Sequence, residues 1–442
     1  MAAATTTESD QTSTSLLSKM EEAVNKLYDF RDHYFERNSL DRAIHKAKEL
    51  EEELNKTIKL LEEHQVETPE RAVFFFLKGK ALNVLPEFSP DALECLSRAV
   101  KLDPKLVEAW NQLGECYWKK KDVDTARNCF NGALNHSKNK YSLRNLSMVL
   151  RQIGKTNEEK NQAIQQSIEY AKEAIQLDIK DGTSWFIMGN AYLAVFFAGS
   201  QNPAILKQCI SAYSQAEKDP VANCNPDLHF NRATLHKYQE EYELALIDYA
   251  RASALDPMWT EPKEKMEQLV IYLSKIQDLV EKKGKLKPKR LQQLLGAFKS
   301  SDLGPYGGGI FQSAKGDKVT LEPVKLDQLD KGLNKEKVIL GKVVCNIMID
   351  EPIPFTFALI DSEGTCYAVN IFNIAQGQGV IIGDSVAIPE PFVMHHELSA
   401  SDKVIKFPSI RVETPVVLVV NGKKWGIEKQ APTVLSVSTK CE

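Results

Sequence analysis

Between Val107 and Ala133 the chain sets Trp110, Leu113, Gly114 and Tyr117 ahead of Ala126, Phe130 and Ala133. The first four share one face of a helix, and the last three share one face of a second. Small residues on the second helix let the two approach closely. A helical pair of this size cannot bury its own apolar face, so it folds only by stacking on further pairs. One good copy therefore requires others.

The spacing is that of the tetratricopeptide helix–turn–helix, whose period is 34 residues, and 34 residues separate Ala99 from Ala133. Ala99-Val-Lys-Leu-Asp-Pro104 and Ala252-Ser-Ala-Leu-Asp-Pro257 each end a second helix at a proline that cannot continue it. Trp185, Met188, Gly189 and Tyr192 repeat the Trp110 pattern, with Tyr213 and Ala216 behind them across a turn lengthened around Phe197 to Ala204. A degenerate copy runs from Tyr141 through Leu143, Leu146 and Leu150, with Ala171 and Ala174 behind it. Another starts at Pro226 and keeps Ala245, Tyr249 and Ala252. Phe75, Gly79 and Leu82 fit a first copy loosely. Leu16 to His64 reads as a capping helical hairpin, Glu261 to Glu281 as an amphipathic helix and Leu291 to Phe298 as a shorter one. Residues 16–299 are thus expected to form an α-solenoid of about six helical pairs.

At Ser300 the texture changes. Gly304-Pro-Tyr-Gly-Gly-Gly309 reads as part of a linker over 300–317. Residues 318–442 then carry β-rich segments: Val338 to Ile349, Phe355 to Ile360, Cys366 to Phe372, Ser385 to Ile388 and Ile410 to Val420. Asp361-Ser-Glu-Gly364 marks a hairpin turn between the second and third. Five strands, with the short segment Ile374 to Ile382 between the third and fourth, suit a small Greek-key barrel of the OB type. An immunoglobulin-like sandwich would need about seven. The fold class is a mainly α solenoid of tetratricopeptide repeats followed by a small all-β OB-type barrel.

Composition narrows the function. The net charge is −4, which gives no global pull toward nucleic acid or acidic membrane, and no apolar run approaches the roughly 20 residues a bilayer requires. Residues 1–15 are rich in Ala, Thr and Ser, the composition of a disordered lead rather than a signal peptide. The 8 cysteines form no Cys-x-x-Cys pair, and several, such as Cys129 beside Phe130, occupy core positions of reduced structural thiols. His395-His396 is the one tight histidine pair. Neighbours on a strand face opposite ways, so the pair cannot chelate from one face. No phosphate loop, nucleophile elbow or metalloprotease motif is present. The reading is no enzyme and no cofactor.

Binding residues follow from the face of each first helix left over by the buried set. They are Asn111, Glu115 and Trp118; Arg144, Met148 and Arg151; Phe186, Asn190 and Leu193; and Asp227, Phe230, Asn231, Thr234 and Lys237. In tetratricopeptide proteins this face lines a concave groove that grips a peptide. Arg, Asn, Asp and aromatics together suit a short charged segment, since Arg–carboxylate pairs give orientation as well as energy. The competing reading is that Arg144 or Arg151 pairs with a neighbouring helix. Lys282-Lys-Gly-Lys-Leu-Lys-Pro-Lys-Arg290 has 6 cations in 9 residues and no acid. It reads as a phosphate-contact patch, a nuclear-import signal or a solvated run, with Lys285 and Lys287 chosen for backbone contact beside Lys282 and Lys283. The barrel aromatics Phe355, Phe357, Tyr367 and Phe372 could stack on single-stranded bases. Residues 318–442 carry 13 Lys or Arg against 15 Asp or Glu, and lack the basic footprint such binding needs. A protein-binding barrel is favoured, with no sequence-specific DNA contact.

Leu106-Val-Glu-Ala-Trp-Asn-Gln-Leu-Gly114, Ser142-Leu-Arg-Asn-Leu-Ser-Met-Val-Leu-Arg-Gln152, Asn225-Pro-Asp-Leu-His229, Val338-Ile-Leu-Gly-Lys-Val-Val344 and Ile382-Gly-Asp-Ser-Val-Ala-Ile-Pro-Glu-Pro391 resemble the Strap family, also called tetratricopeptide-repeat protein five. The resemblance implies two roles. In one, the groove recognises the N-terminal Met-Arg-Glu of nascent tubulin at the ribosome exit, and tubulin mRNA decays. Arg151 would hold the peptide's Glu, Asp227 its Arg, and Lys285 with Lys287 the ribosomal RNA phosphates. In the other, a stress-responsive nuclear cofactor bridges a histone acetyltransferase coactivator complex and the p53 pathway in the DNA damage response. Both cytoplasm and nucleus are then expected locations. A co-chaperone groove for acidic C-terminal tails is a further class, but Asp227 would repel such a tail.

Overall fold

The computed structural model describes residues 5–63, 70–198, 203–308, 310–312, 318–347, 354–400 and 403–431. They cluster into two compact units that divide between Lys263 and Glu264.

The first unit is all helical. Helices α1 (Thr5–Asp32), α2 (Tyr34–Arg37) and α3 (Ala43–Glu63) form the cap, and α4 (Arg71–Leu82) with α5 (Pro90–Leu102) starts the stack. The following pairs are α6 (Val107–Lys119) with α7 (Val123–His136), and α8 (Lys140–Leu150) with α9 (Asn157–Leu177). Then come α10 (Gly182–Ala198) with α11 (Pro203–Ala216), the short α12 (Pro220–Asn223), and α13 (Pro226–Tyr238) with α14 (Tyr242–Leu255). Polar side chains close the helix starts: Ser89, Asp122, Asn139 and Asn225 each accept a backbone N–H of the first turn, and Thr156 with Glu159 forms a reciprocal capping box. Gly114 has a packing reason, since a β-carbon there would lie 2.5 Å from the Phe130 ring. Gly189 stands in the same relation to Tyr213. The glycine is what lets the first helix of a pair lie against the aromatic of the second. The expected lead over 1–15 is corrected: α1 is helical from Thr5, and residues 1–4 lie outside the described residues.

The unit also makes contacts that skip repeats. The Tyr28 hydroxyl of α1 donates to the Lys80 carbonyl at 2.9 Å and to the Gln112 side chain at 3.3 Å, two helical pairs further along. The short turn Leu40–Arg42 packs against α14, at the far end of the array.

Most of α15 (Glu261–Glu281) belongs to the second unit, together with a 3-10 turn at Lys283–Lys285 and α16 (Pro288–Leu295). The solenoid expected over 16–299 therefore ends earlier as a compact body. The linker expected over 300–317 is instead a 3-10 turn, Ser300–Tyr306, built into this unit: Tyr306 is buried and its hydroxyl donates to the Val417 carbonyl at 2.7 Å. Gly304 has a φ of 53°, and a β-carbon there would meet the Gly422 carbonyl at 2.5 Å, so only glycine fits. Gly309 and residues 313–317 of the same stretch lie outside the described residues.

The strands are β1 (Ile310–Gln312), β2 (Lys318–Thr320), β3 (Glu322–Val324), β4 (Gly332–Leu333), β5 (Lys337–Ile347), β6 (Phe355–Ile360), β7 (Cys366–Ile371), β8 (Ser385–Pro389), β9 (Phe392–Ala400), β10 (Lys403–Val412), β11 (Val419–Val420) and β12 (Lys423–Lys424). β5 pairs with β6 and β8, β6 with β7, and β7 runs parallel to β10, which pairs with β9. Only Glu390 and Pro391 separate β8 from β9, so these strands close the five-stranded OB circuit. The expected Ile410 to Val420 strand divides into β10, a 3-10 turn at Pro415–Val417 and β11, while β9 carries the other arm of a long hairpin that had no expectation. Of Ile374 to Ile382, Ile374 makes one bridge to Gln430. The Asp361 to Gly364 turn is present, with the Gly364 N–H donating to the Asp361 carbonyl at 3.2 Å.

Candidate functional site

Among the first helices, asparagines tie α6 to α8 and α10 to α13. Asn139, the N-cap of α8, accepts from the Ser142 N–H at 2.8 Å and from the Asn111 amide at 3.2 Å, while the Ser142 hydroxyl donates to the Asn111 carbonyl oxygen at 2.6 Å. Asn111 is thus a buried tie rather than an exposed contact residue. The Asn190 carbonyl oxygen accepts from the Tyr213 hydroxyl at 2.7 Å and from the Asn231 amide at 3.0 Å, joining α10, α11 and α13. Phe186 is buried, tilted against Tyr213 at 6.3 Å. Trp118 is half-buried against the cluster of Phe130, Leu146 and Val149, and Phe230 packs on Trp259 at 4.7 Å and on Tyr249 at 5.6 Å. As groove residues Asn111 and Phe186 are therefore corrected: their side chains complete the packing beneath the surface, and Asn190 is as buried as they are, its oxygen spent on Tyr213 and Asn231.

The charged residues divide the same way. Arg144 pairs with Asp181 at 3.2 Å and stacks on Tyr141 at 4.6 Å, the neighbour-helix role. Burial alone would raise the Asp181 carboxyl pKa, but the Arg144 charge and the Ser184 and Lys140 contacts hold it below the usual carboxylate range. Arg151 caps α8 and donates to the Ile187 carbonyl of α10 at 3.1 Å. Asp227 sits half-buried in the first turn of α13, where the helix dipole favours a carboxylate, and its N–H donates to the Asn225 cap at 3.0 Å. Ile187 and Asn190 are one turn apart on α10, and Asp227 and Asn231 one turn apart on α13. The structure therefore brings Arg151, Asn190, Asn231 and Asp227 onto one run of adjacent helices.

Two constellations had no counterpart in the sequence reading. Arg232 bridges Glu217 at 2.6 Å and buried Asp248 through two bonds of 2.7 Å, with His229 3.5 Å from the same carboxylate. The Lys119 ammonium donates to the Asn83 carbonyl at 2.6 Å, the Asn83 side chain at 3.0 Å and the Leu85 carbonyl at 2.6 Å. Burial holds its pKa below the ordinary lysine value. The signal for the first was a polar residue, Asp248, between the buried Ala245 and Tyr249.

The basic run is partly neutralised. Lys282 pairs with Asp278, and Lys285 pairs with the same carboxylate at 2.6 Å. Lys283 lies beside Gly364, and the backbone at Gly284 passes close to the Val344 carbonyl of β5. The run thus folds onto the β unit instead of projecting as a free segment. Lys287 is exposed.

Inside the barrel Phe357 belongs to the core and Phe355 and Tyr367 pack against it, while Phe372 is buried under the Arg411 guanidinium at 3.8 Å. The opposite face of the same strands is closed too. Thr356, Ala358, Ala368 and Asn370 are buried, and the Tyr272 hydroxyl of α15 bonds Thr356 at 2.6 Å and Asn370 at 3.5 Å. His396 is buried with its Nε2 2.8 Å from the Ser409 hydroxyl, whereas His395 is exposed. Among the described residues no group of three or more His, Cys, Asp or Glu could hold a metal, and no helix is long and apolar enough to cross a membrane.

Residues 320–434 match the family model described as the tetratricopeptide repeat protein 5 OB fold domain, and residues 107–139 match a tetratricopeptide repeat model. Over 429 residues, 97% of this chain and 98% of each relative, the chain is 51% identical to tetratricopeptide repeat protein 5 of mouse and of human, and 52% to that of cattle. The chain belongs to the tetratricopeptide repeat protein 5 family. That family membership, with the repeat array and the OB domain, makes it an adaptor or cofactor that works by binding protein partners.

Proposed function

We propose that this protein is a non-enzymatic adaptor whose solenoid groove receives the N-terminal Met-Arg-Glu of a nascent tubulin chain beside the ribosome exit, and that capture commits the translated mRNA to decay. The observation that carries this reading is the placement of Arg151 and Asp227. They are opposite charges on α8 and α13, set on either side of α10 by the Ile187 carbonyl bond and the Asn190–Asn231 tie. A peptide with adjacent Arg and Glu side chains meets both charges, whereas a uniformly acidic peptide meets only one and a neutral peptide neither. Arg151 receives the peptide carboxylate and Asp227 its guanidinium, with Asn190 and Asn231 near the peptide backbone.

The test is anisotropy with a labelled Met-Arg-Glu-Ile peptide at moderate salt. Arg151→Ala and Asp227→Ala should each cost about 2–5 kcal/mol, because each strands a charge in the peptide. Met-Glu-Arg-Ile, with the charges exchanged, should not bind. Wild-type affinity in both variants would place the ligand elsewhere, and the nuclear cofactor role would become the leading account.

A further inference from the structure

The unit formed by α15, α16 and the barrel carries six exposed lysines and arginines for which no acidic partner exists among the described residues: Lys287, Lys289, Arg290, Lys299, Lys423 and Lys424. They come from two neighbouring segments, Lys287 to Arg290 and Lys299, and from Lys423 and Lys424 more than a hundred residues further on, and the fold gathers them. The Arg290 guanidinium of α16 lies 3.8 Å from the β-carbon position of Gly383. The neighbouring Asp384 carboxylate accepts from the Asn421 amide at 2.8 Å, and the Ser385 N–H donates to the Asn421 side chain at 2.9 Å. Asn421 and Gly422 form the tip between β11 and β12, directly before Lys423 and Lys424. Gly422 in turn lies against the Ser301 carbonyl, 3.1 Å from its β-carbon position, two residues after Lys299. The start of α16, the 3-10 turn and the β11–β12 tip therefore meet at one junction, and each brings cations to it.

The acids at that junction are already engaged. Asp384 is held by Asn421 and by the Ile381 N–H at 2.9 Å, and Asp302 by Ser385 and, at 3.8 Å, by the buried Lys342. The cations are left without local compensation, unlike Lys282 and Lys285, which share Asp278. The alternative nucleic-acid surface, the strand face used by many OB folds, is closed here by Tyr272 and its helix.

We propose that this junction docks the phosphate backbone of RNA, with Arg290, Lys423 and Lys424 as its centre and Lys287, Lys289 and Lys299 at its rim. It extends the ribosomal part of the proposed function, shifting the weight from the paired Lys282 and Lys285 to the unpaired end of the same run, Lys287, Lys289 and Arg290, joined by Lys299, Lys423 and Lys424 from outside it. Among the described residues the aromatics next to these cations, Phe298 and Trp425, are half-buried against Lys342 and the barrel core, so the surface reads charge spacing and not bases.

The experiment uses the full chain and a labelled mixed-sequence RNA hairpin, with affinity measured across a salt series. The double variant Lys423→Glu/Lys424→Glu should lower affinity about tenfold or more and flatten the dependence of log K on log salt by about 2, one per lost phosphate contact. Lys331→Glu/Lys335→Glu, with the same charge change elsewhere on the unit, should leave the slope unchanged. Equal loss in both variants, or loss only when Lys282 and Lys285 are reversed, overturns the assignment. So does binding to phosphatidylserine vesicles without binding to RNA, which would make the exposed Ile381 and Ile382 beside Arg290 part of a membrane contact. Peptide binding to the same variants is read separately: if they keep it and lose RNA, this junction stands whatever becomes of the groove.

Discussion

Arg232→Met should loosen the last helical pair of the solenoid far more than an ordinary surface substitution. Arg232 grips the Asp248 carboxylate with two bonds of 2.7 Å, and the Asp248 side chain is only 6% exposed. Removing one partner of such a buried pair leaves an uncompensated charge and typically costs about 3–5 kcal/mol. The second partner, Glu217, is 40% exposed and adds at most about 1 kcal/mol. Because the chain has two compact units, a single unfolding midpoint is the wrong readout. Hydrogen exchange over Pro226–Leu255 reports the local loss directly, and should quicken roughly 150-fold to 5,000-fold. Acid should shrink the effect. Burial raises the Asp248 pKa, yet the His229 and Arg232 hydrogen bonds and the Arg232 charge outweigh it and hold the folded value below the ordinary one. Its contribution is complete above the unfolded carboxylate pKa, about 3.9, and is lost as pH falls through the folded value. The double variant Arg232→Met/Asp248→Leu should recover most of the protection. Exchange that quickens less than tenfold at neutral pH would refute the account of α13 as a helix positioned by this network.

Gly114→Ala should destabilise the solenoid by about 1–3 kcal/mol, read as an earlier helical melt, because its methyl would meet Phe130 at 2.5 Å. A neutral result would mean that the aromatic yields without strain. Tyr272→Phe should lower the melting temperature of the β unit through a loss of about 0.5–1.5 kcal/mol, since Thr356 and Asn370 each lose a partner in a buried site. An unchanged melt would show that the helix is held there by apolar contact alone.

Repeats were legible because their glycine and aromatic positions are set by local geometry. Gly114 against Phe130 and Gly189 against Tyr213 are contacts within one pair, and their spacing is written in the chain. The hairpin at Asp361 to Gly364 was legible for the same reason. What sequence could not convey was pairing across distance. β9 reads as polar because His395, Glu397 and Ser399 face solvent, and it becomes a strand only through its hairpin with β10. The Gly304-Pro-Tyr-Gly307 stretch looked like a linker because Gly304 serves a tight packing against Gly422, which leaves the same composition as a flexible stretch. On the first helices, periodicity marks the residues left over by the buried set but not their depth. In the repeat register Asn111 corresponds to Phe186 and Glu115 to Asn190, and spacing alone does not show that Asn111, Phe186 and Asn190 all turn inward, onto Asn139, Tyr213 and Asn231.

The contact of Leu40–Arg42 with α14 changes what kind of polymer the solenoid is. A linear repeat array touches only its nearest neighbours, so its stability is a chain of local terms and its ends open first. Joining the cap to the last repeat turns the line into a loop. An end pair cannot fray without also releasing a partner some two hundred residues away, and neither terminus is any longer the cheapest place to open. The cost appears in kinetics, because a contact of such long sequence separation must close late and slows folding. For a groove that must hold its charges in place, the closed form supplies rigidity that stacking alone would leave to the middle repeats.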